Sequence, residues 1–241
     1  MPRLSPDGDR VAVSIDGDVW VYYIEQGTRT RLTFDGATND PVWSPDGSRI
    51  AFRSQKEADD RDTFWMRADG GGDVEPLLVV EGTSQDPHSL SRDGKRLAYY
   101  EMKLDSHRDI WLLPLEGEKT PEPFLVTPFN ERSPSFSPDG RFLAYVSDES
   151  GQDEVYVQRL DRSGGKLRCP RAAGVSPFGR ETVESSTHES LPAGLQVILP
   201  IYSVRNESGR LSSLCLFSRR SPGASVPGRR RPHPVPALAR Q

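Results

Sequence analysis

A seven-residue phrase recurs four times in this 241-residue chain and constrains its fold more than any other feature. It reads Pro2-Arg3-Leu4-Ser5-Pro6-Asp7-Gly8, then Pro41-Val42-Trp43-Ser44-Pro45-Asp46-Gly47, then His88-Ser89-Leu90-Ser91-Arg92-Asp93-Gly94, and last Pro134-Ser135-Phe136-Ser137-Pro138-Asp139-Gly140. The aspartates stand 39, 47 and 46 residues apart. Two residues after each Asp-Gly comes an apolar–Ala–apolar triplet: Val11-Ala12-Val13, Ile50-Ala51-Phe52, Leu97-Ala98-Tyr99 and Leu143-Ala144-Tyr145. A second strand-like run follows each triplet, at Val19-Trp20-Val21, Phe64-Trp65-Met66, Ile110-Trp111-Leu112 and Val155-Tyr156-Val157. The first three repeats add a last short strand around Leu32, Leu77 and Phe124-Leu125.

The phrase has the chemistry of a hairpin turn. Proline presets φ, aspartate bonds its own downstream backbone, and glycine accepts the positive φ that a bulky residue resists. The turn pairs named for this structural role are Asp7-Gly8, Asp46-Gly47, Asp93-Gly94 and Asp139-Gly140. Alanine at the centre of the outgoing strand leaves one face nearly bare, so a neighbouring sheet can pack closely. Four strands per ~45 residues is the mark of a propeller blade. The fold class expected is therefore all-β, with four-stranded antiparallel blades at about 1–38, 39–85, 86–131 and 132–166. The 21 glycines and 21 prolines suit such a turn-rich chain and argue against a helical one.

The P-x-Φ-S-P-D-G-x-x-Φ-A-Φ phrase resembles the WD40-like repeat of TolB-type β-propellers. Related propellers accompany bacterial serine/threonine kinases and prolyl-oligopeptidase-like peptidases. Asp148-Glu149-Ser150-Gly151 followed by Glu154-Val155-Tyr156-Val157 is most similar to the kinase-associated group. The resemblance covers residues 2–166 and implies a non-catalytic scaffold that binds a protein or peptide. The alternative it implies is the accessory or sensor propeller of a larger enzyme whose catalytic domain is absent here. Relatives are often extracytoplasmic or periplasmic. In the third repeat, Arg92 replaces the turn proline and His88 the strand proline.

Composition breaks near Lys166. Residues 1–166 hold 20 Lys and Arg against 31 Asp and Glu, whereas residues 167–241 hold 11 Arg and 4 Glu, with no aspartate, lysine or tryptophan. The stretch 167–241 reads as an atypical Pro/Ser/Arg-rich tail, disordered or out of frame. Reading codons from the third base of each, residues 176–187 can spell P-x-W-x-x-D-G-x-[IV]-F-Y, with the aspartate 42 residues after Asp139. Four blades would rarely close a ring, so the chain is expected to be a fragment of a larger propeller. Its last blade should then be left with an exposed apolar face.

Candidates for chemistry are few. There is no G-x-S-x-G elbow, and no kinase glycine-rich loop with V-A-I-K and H-R-D, so no catalytic activity is expected of this chain. Ser106-His107-Arg108-Asp109 has triad residue types but reads as the loop before a strand. Asp59, Asp60 and Asp62, with the pairs Asp7/Asp9 and Asp16/Asp18, read as loop and turn residues, not a calcium site. His88 is expected to be packed or solvated on an inner strand. Trp20, Trp65, Trp111 and Tyr156 recur at one blade position and read as packing residues, not a ligand cage. Cys169 and Cys215 have no zinc-site spacing. No metal or other cofactor is expected. The acidic body argues against nucleic acid despite Arg229-Arg230-Arg231. No run approaches the ~20 apolar residues that cross a bilayer, and the opening residues do not read as a signal peptide.

Overall fold

Serine, proline, aspartate and glycine at the recurring turn reverse the chain after each short inner strand, and a four-stranded meander follows every reversal. The computed structural model describes residues 2–55, 61–103 and 107–169, together with the backbone of 181–182, 195–199 and 216–219. The first sheet runs β1 (Arg3–Leu4), β2 (Arg10–Ile15), β3 (Asp18–Tyr23), β4 (Thr28–Arg31). The second runs β5 (Thr38–Trp43), β6 (Arg49–Ser54), β7 (Asp62–Arg67), β8 (Glu75–Leu78). The third runs β9 (Thr83–Leu90), β10 (Arg96–Lys103), β11 (Arg108–Pro114), β12 (Glu122–Leu125). The fourth runs β13 (Glu131–Phe136), β14 (Phe142–Ser147), β15 (Glu154–Arg159), β16 (Leu167–Cys169). Within each sheet, every strand pairs antiparallel with its neighbour in the chain. The described residues contain no helix. These are the antiparallel blades of an all-β propeller.

Period-two alternation decides how the blades stack. Ala12 of blade 1 shares a core cluster with Ile50 and Phe52 of blade 2. Ala51 in turn packs with Leu97 and Tyr99 of blade 3, and Ala98 with Leu143 and Tyr145 of blade 4. The central alanine of each triplet thus faces the next blade, while its two larger neighbours face the previous one. All four alanines are buried. The apolar residue two places before the turn proline also points backward. Trp43 closes against blade 1, its Nε1 donating to the Arg3 carbonyl at 2.9 Å, and Phe136 closes against blade 3. Leu4, at the same position in blade 1, is 61% exposed. The first strands β1, β5, β9 and β13 touch in succession and form the inner wall of the arc.

Two findings concern the region after Lys166. The edge strand β16 runs three residues past it, because a strand edge offers backbone N–H and C=O to any extended segment whatever its side chains. The apolar face of blade 4, expected to be exposed, is buried at Ala144, Val146, Val155 and Val157. Next to this blade lies a three-stranded antiparallel sheet of β17 (Glu181–Thr182), β18 (Leu195–Leu199) and β19 (Leu216–Arg219), with β19 against β13. Its central strand ends at the residue before Pro200, as a missing backbone donor requires. Most of the tail, including Cys215 and Arg229 to Arg231, lies outside the described residues.

Candidate binding face

Each recurring turn is fastened by one serine. The Ser5 hydroxyl donates to Asp7 Oδ1 and accepts from the Arg10 N–H at 2.9 Å, while Asp7 Oδ1 also accepts the Asp9 N–H at 3.1 Å. The same relay joins Ser44, Asp46 and Arg49, then Ser91, Asp93 and Arg96, then Ser137, Asp139 and Phe142. Gly8, Gly47, Gly94 and Gly140 close the turns at φ +84, +68, +72 and +69. Arg92 leaves its turn intact, since the Gly94 N–H still donates to the Ser91 carbonyl at 2.8 Å. Hydrogen bonds led by the serine hydroxyl hold Asp7 and Asp46 at about 2 and also lower Asp93. At Asp139, burial pushes the carboxyl up, but hydrogen bonds from Ser137 and Arg141 outweigh it. These carboxylates are committed to their turns. The serine relay was missed in the sequence, although Ser5, Ser44, Ser91 and Ser137 mark it in every phrase.

All four turns lie at one end of the sheets, and a cleft opens between each successive pair. The arginine two residues after Asp-Gly recurs as Arg10, Arg49 and Arg96. In blade 1, Arg10 crosses to the next blade: Nη2 donates to the Gly47 carbonyl at 3.1 Å, pairs with Asp7 at 2.8 Å, and the guanidinium lies 4.8 Å over Trp43. The cleft it bridges measures about 250 Å³. Between blades 2 and 3 the cleft is about 430 Å³ and is walled by Trp65, whose ring is capped by Arg49 at 4.3 Å. Glu75 accepts from both Arg49 and Trp65 there. The cleft between blades 3 and 4 is the largest, about 660 Å³. Phe136, Pro138 and Leu160 line it together with Arg96 and Arg92, and Arg92 also borders the cleft between blades 2 and 3.

A second polar group lies on the inner strands. Arg53 spans Asp40 at 3.3 Å and Asp86 at 2.8 Å, and Asp86 is only 2% exposed. Burial pushes the Asp86 carboxyl up, and pushes Arg3 down beside them. His88 packs its ring 5.2 Å from Tyr100, and its buried Nδ1 has no hydrogen-bond partner among the described residues. Burial, aided by the Arg3 charge, holds this imidazole at about 3, so it is neutral. A bulge explains its place. Asp40 and Ser133 take φ +54 and +55 just before Pro41 and Pro134, where one extra residue enters the inner strand. Blade 3 has Pro87 at that position, which cannot take positive φ, so His88 becomes the extra residue.

The other candidates disperse. Asp18 is buried and accepts from Thr33 at 3.1 Å and the Gly36 N–H at 3.2 Å, with Arg31 paired to it. Asp16 and Gly17 form the adjoining turn at positive φ. Asp62 begins β7, while Asp59, Asp60 and Ser106 lie outside the described residues. Asp109 accepts the Thr127 N–H at 3.2 Å, and Arg108 lies 5.6 Å over Tyr100. Among the described residues, no three His, Cys, Asp or Glu side chains are grouped to hold a metal ion. Tyr156 is buried and Trp65 and Trp111 pack on the core. Trp20 is instead half-buried beneath Arg29 and Arg31.

The pattern that defines the TolB beta propeller domain matches residues 1–157. The chain belongs to that family. Among solved structures, this TolB-type propeller is similar to a TolB candidate from Agrobacterium tumefaciens, with 23% identity and a TM-score of 0.64 over 82% of this chain and 68% of that one. Similarity to TolB from Acinetobacter baumannii gives 18% identity and a TM-score of 0.59, over 82% of this chain and half of the other. A puromycin-hydrolyzing peptidase of Mycobacterium tuberculosis shares 17% identity, with a TM-score of 0.55 over 83% of this chain and 34% of the peptidase. Among curated proteins, an 81-residue stretch is 32% identical to the uncharacterized peptidase YuxL of Bacillus subtilis (strain 168), covering 29% of this chain and 12% of YuxL.

Proposed function

We propose that this chain is a non-catalytic β-propeller module that binds a protein or peptide through the face bearing the Asp-Gly turns. The observation that carries this reading is the row of three clefts on that face, set between successive serine-fastened turns and lined by side chains that differ from one blade to the next. A fixed frame displaying variable loops is how such folds recognise partners. The similarity to TolB structures supports the propeller frame on which this reading rests. Selection of a random-peptide phage library on the full chain tests it. Selected peptides should lose binding to Trp65→Ala or Leu160→Asp and keep binding to Phe34→Ser, which alters the opposite face. Failure to enrich any peptide, or enrichment sensitive only to Phe34→Ser, refutes the proposal.

The stretch shared with YuxL favours a second reading, in which the propeller is the accessory or sensor domain of a larger enzyme, a prolyl-oligopeptidase-like peptidase, with a serine/threonine kinase as the alternative to that peptidase. Sequencing the flanking DNA separates the two. A G-x-S-x-G domain downstream or a kinase domain upstream supports the enzyme reading.

A further inference from the structure

Arg10 shows what the arginine two residues after Asp-Gly can do. Its guanidinium satisfies itself on a carboxylate, a backbone carbonyl and an aromatic face, and in doing so bridges the cleft between blades 1 and 2. Arg96 occupies the same position in blade 3, beside the equivalent aromatic Phe136 and the equivalent Gly140. Yet its guanidinium makes no hydrogen bond, ion pair or ring contact among the described residues, and neither does that of Arg92. Arg92 stands where the other three turns have Pro6, Pro45 and Pro138, so the third turn alone adds a cation. The other charged groups of the cleft are already engaged in ion pairs or hydrogen bonds. Lys95 pairs with Glu116 at 2.9 Å, Arg141 pairs with Asp139 at 2.8 Å, and Asp93 is held by Ser91 and the Lys95 N–H. Among the described residues, two unpaired guanidinium groups thus line one cleft with the apolar Phe136 and Leu160.

We propose that the cleft between blades 3 and 4 takes an acidic peptide segment of the partner, with one carboxylate on Arg92 and Arg96 and an adjoining apolar side chain on Phe136 and Leu160. This rests on the peptide-binding reading and names the chemistry of its specificity. Guanidinium matches a carboxylate in a forked geometry that neither water nor an amide reproduces. The guest carboxylate does for Arg96 what Asp7 and the Gly47 carbonyl do for Arg10. The body of the chain is acidic, so the attraction is local and selects a short acidic motif over an extended polyanion.

Fluorescence anisotropy on the full 241-residue chain tests this with labelled Gly-Ser-Glu-Leu-Gly-Ser and its Gln counterpart. The Glu peptide should bind about five-fold or more tightly than the Gln peptide, as expected for a charge-assisted hydrogen-bonded pair. Arg96→Gln should erase most of that preference. Arg92→Pro, which restores the turn sequence of the other blades and so preserves the fold, should weaken the Glu peptide about three-fold. Arg29→Gln, a control away from the cleft, should leave both peptides unchanged. Equal binding of the two peptides overturns the proposal, as does wild-type affinity in both cleft variants. If phage-selected peptides bind while the Glu peptide does not, the cleft assignment falls and the peptide-binding reading stands. If neither binds, both fall.

Discussion

Substituting alanine for Gly47 and, separately, for Gly140 isolates the contact made by Arg10 across the first cleft. The two glycines share a backbone conformation, φ +68 and +69. A Cβ at Gly140 meets nothing within 4 Å, so Gly140→Ala costs only the left-handed backbone, about 1–2 kcal/mol. A Cβ at Gly47 falls 2.8 Å from Arg10 Nη2 and must displace it. The displaced guanidinium loses the Gly47 carbonyl and its place over Trp43. It keeps Asp7, three residues away in the same turn. Losing a part-buried charged hydrogen bond and a cation–π contact adds roughly 0.5–1 kcal/mol. Urea unfolding followed by tryptophan emission reads this as an extra midpoint loss of about 0.2–1 M for Gly47→Ala over Gly140→Ala. In an Arg10→Ala background the excess should vanish, because the group it displaces is gone. If Gly140→Ala costs as much as Gly47→Ala, or the excess survives without Arg10, the account of the first cleft is wrong.

Arg53→Ala strands the buried Asp86 carboxylate and should cost about 3 kcal/mol in chemical denaturation, with partial recovery in the double variant Arg53→Met/Asp86→Leu. Asp46 is held at about 2, below the unfolded value, so its contribution is complete above roughly pH 4 and is lost as pH falls through about 2. Asp46→Asn should flatten that acid limb of the urea midpoint against pH. His88, held at about 3, stays neutral while the unfolded chain takes up a proton, so stability should fall as pH drops from about 6.5 toward 3. His88→Asn should remove that slope in thermal melts between pH 6.5 and 4.

The blades were legible in the sequence because their information is local. Asp7 and Gly8 act within three residues of Ser5, and the triplets announce which side of β2, β6, β10 and β14 is large and which is bare. The turn aspartates were therefore found by residue type alone. What they do beyond the turn was not, because the clefts are made between blades. Arg10 and Gly47 are 37 residues apart, and nothing in Asp-Gly-x-Arg distinguishes an arginine that bridges from one that stays open. The ion cluster was hidden for the same reason: Arg53 finds Asp86 on the next sheet only after stacking. The bulges left a fainter trace, since moving proline from position 88 to Pro87 forbids the positive φ seen at Asp40 and Ser133. The covered face of blade 4 could not be read at all, because the residues after Lys166 carry no blade phrase.

In all four blades each strand finds its partner in the segment just before or after it, and the hydrogen bond from Trp43 to Arg3 that ties the first two blades spans only 40 residues. Within these four blades, no strand has to stay unpaired while a distant partner is synthesised. Hairpins close over short loops within microseconds, and each finished blade offers the next a surface on which to condense. On a ribosome, the early blades can be built before the later ones have emerged, with the alanine face of the newest blade as the growing end.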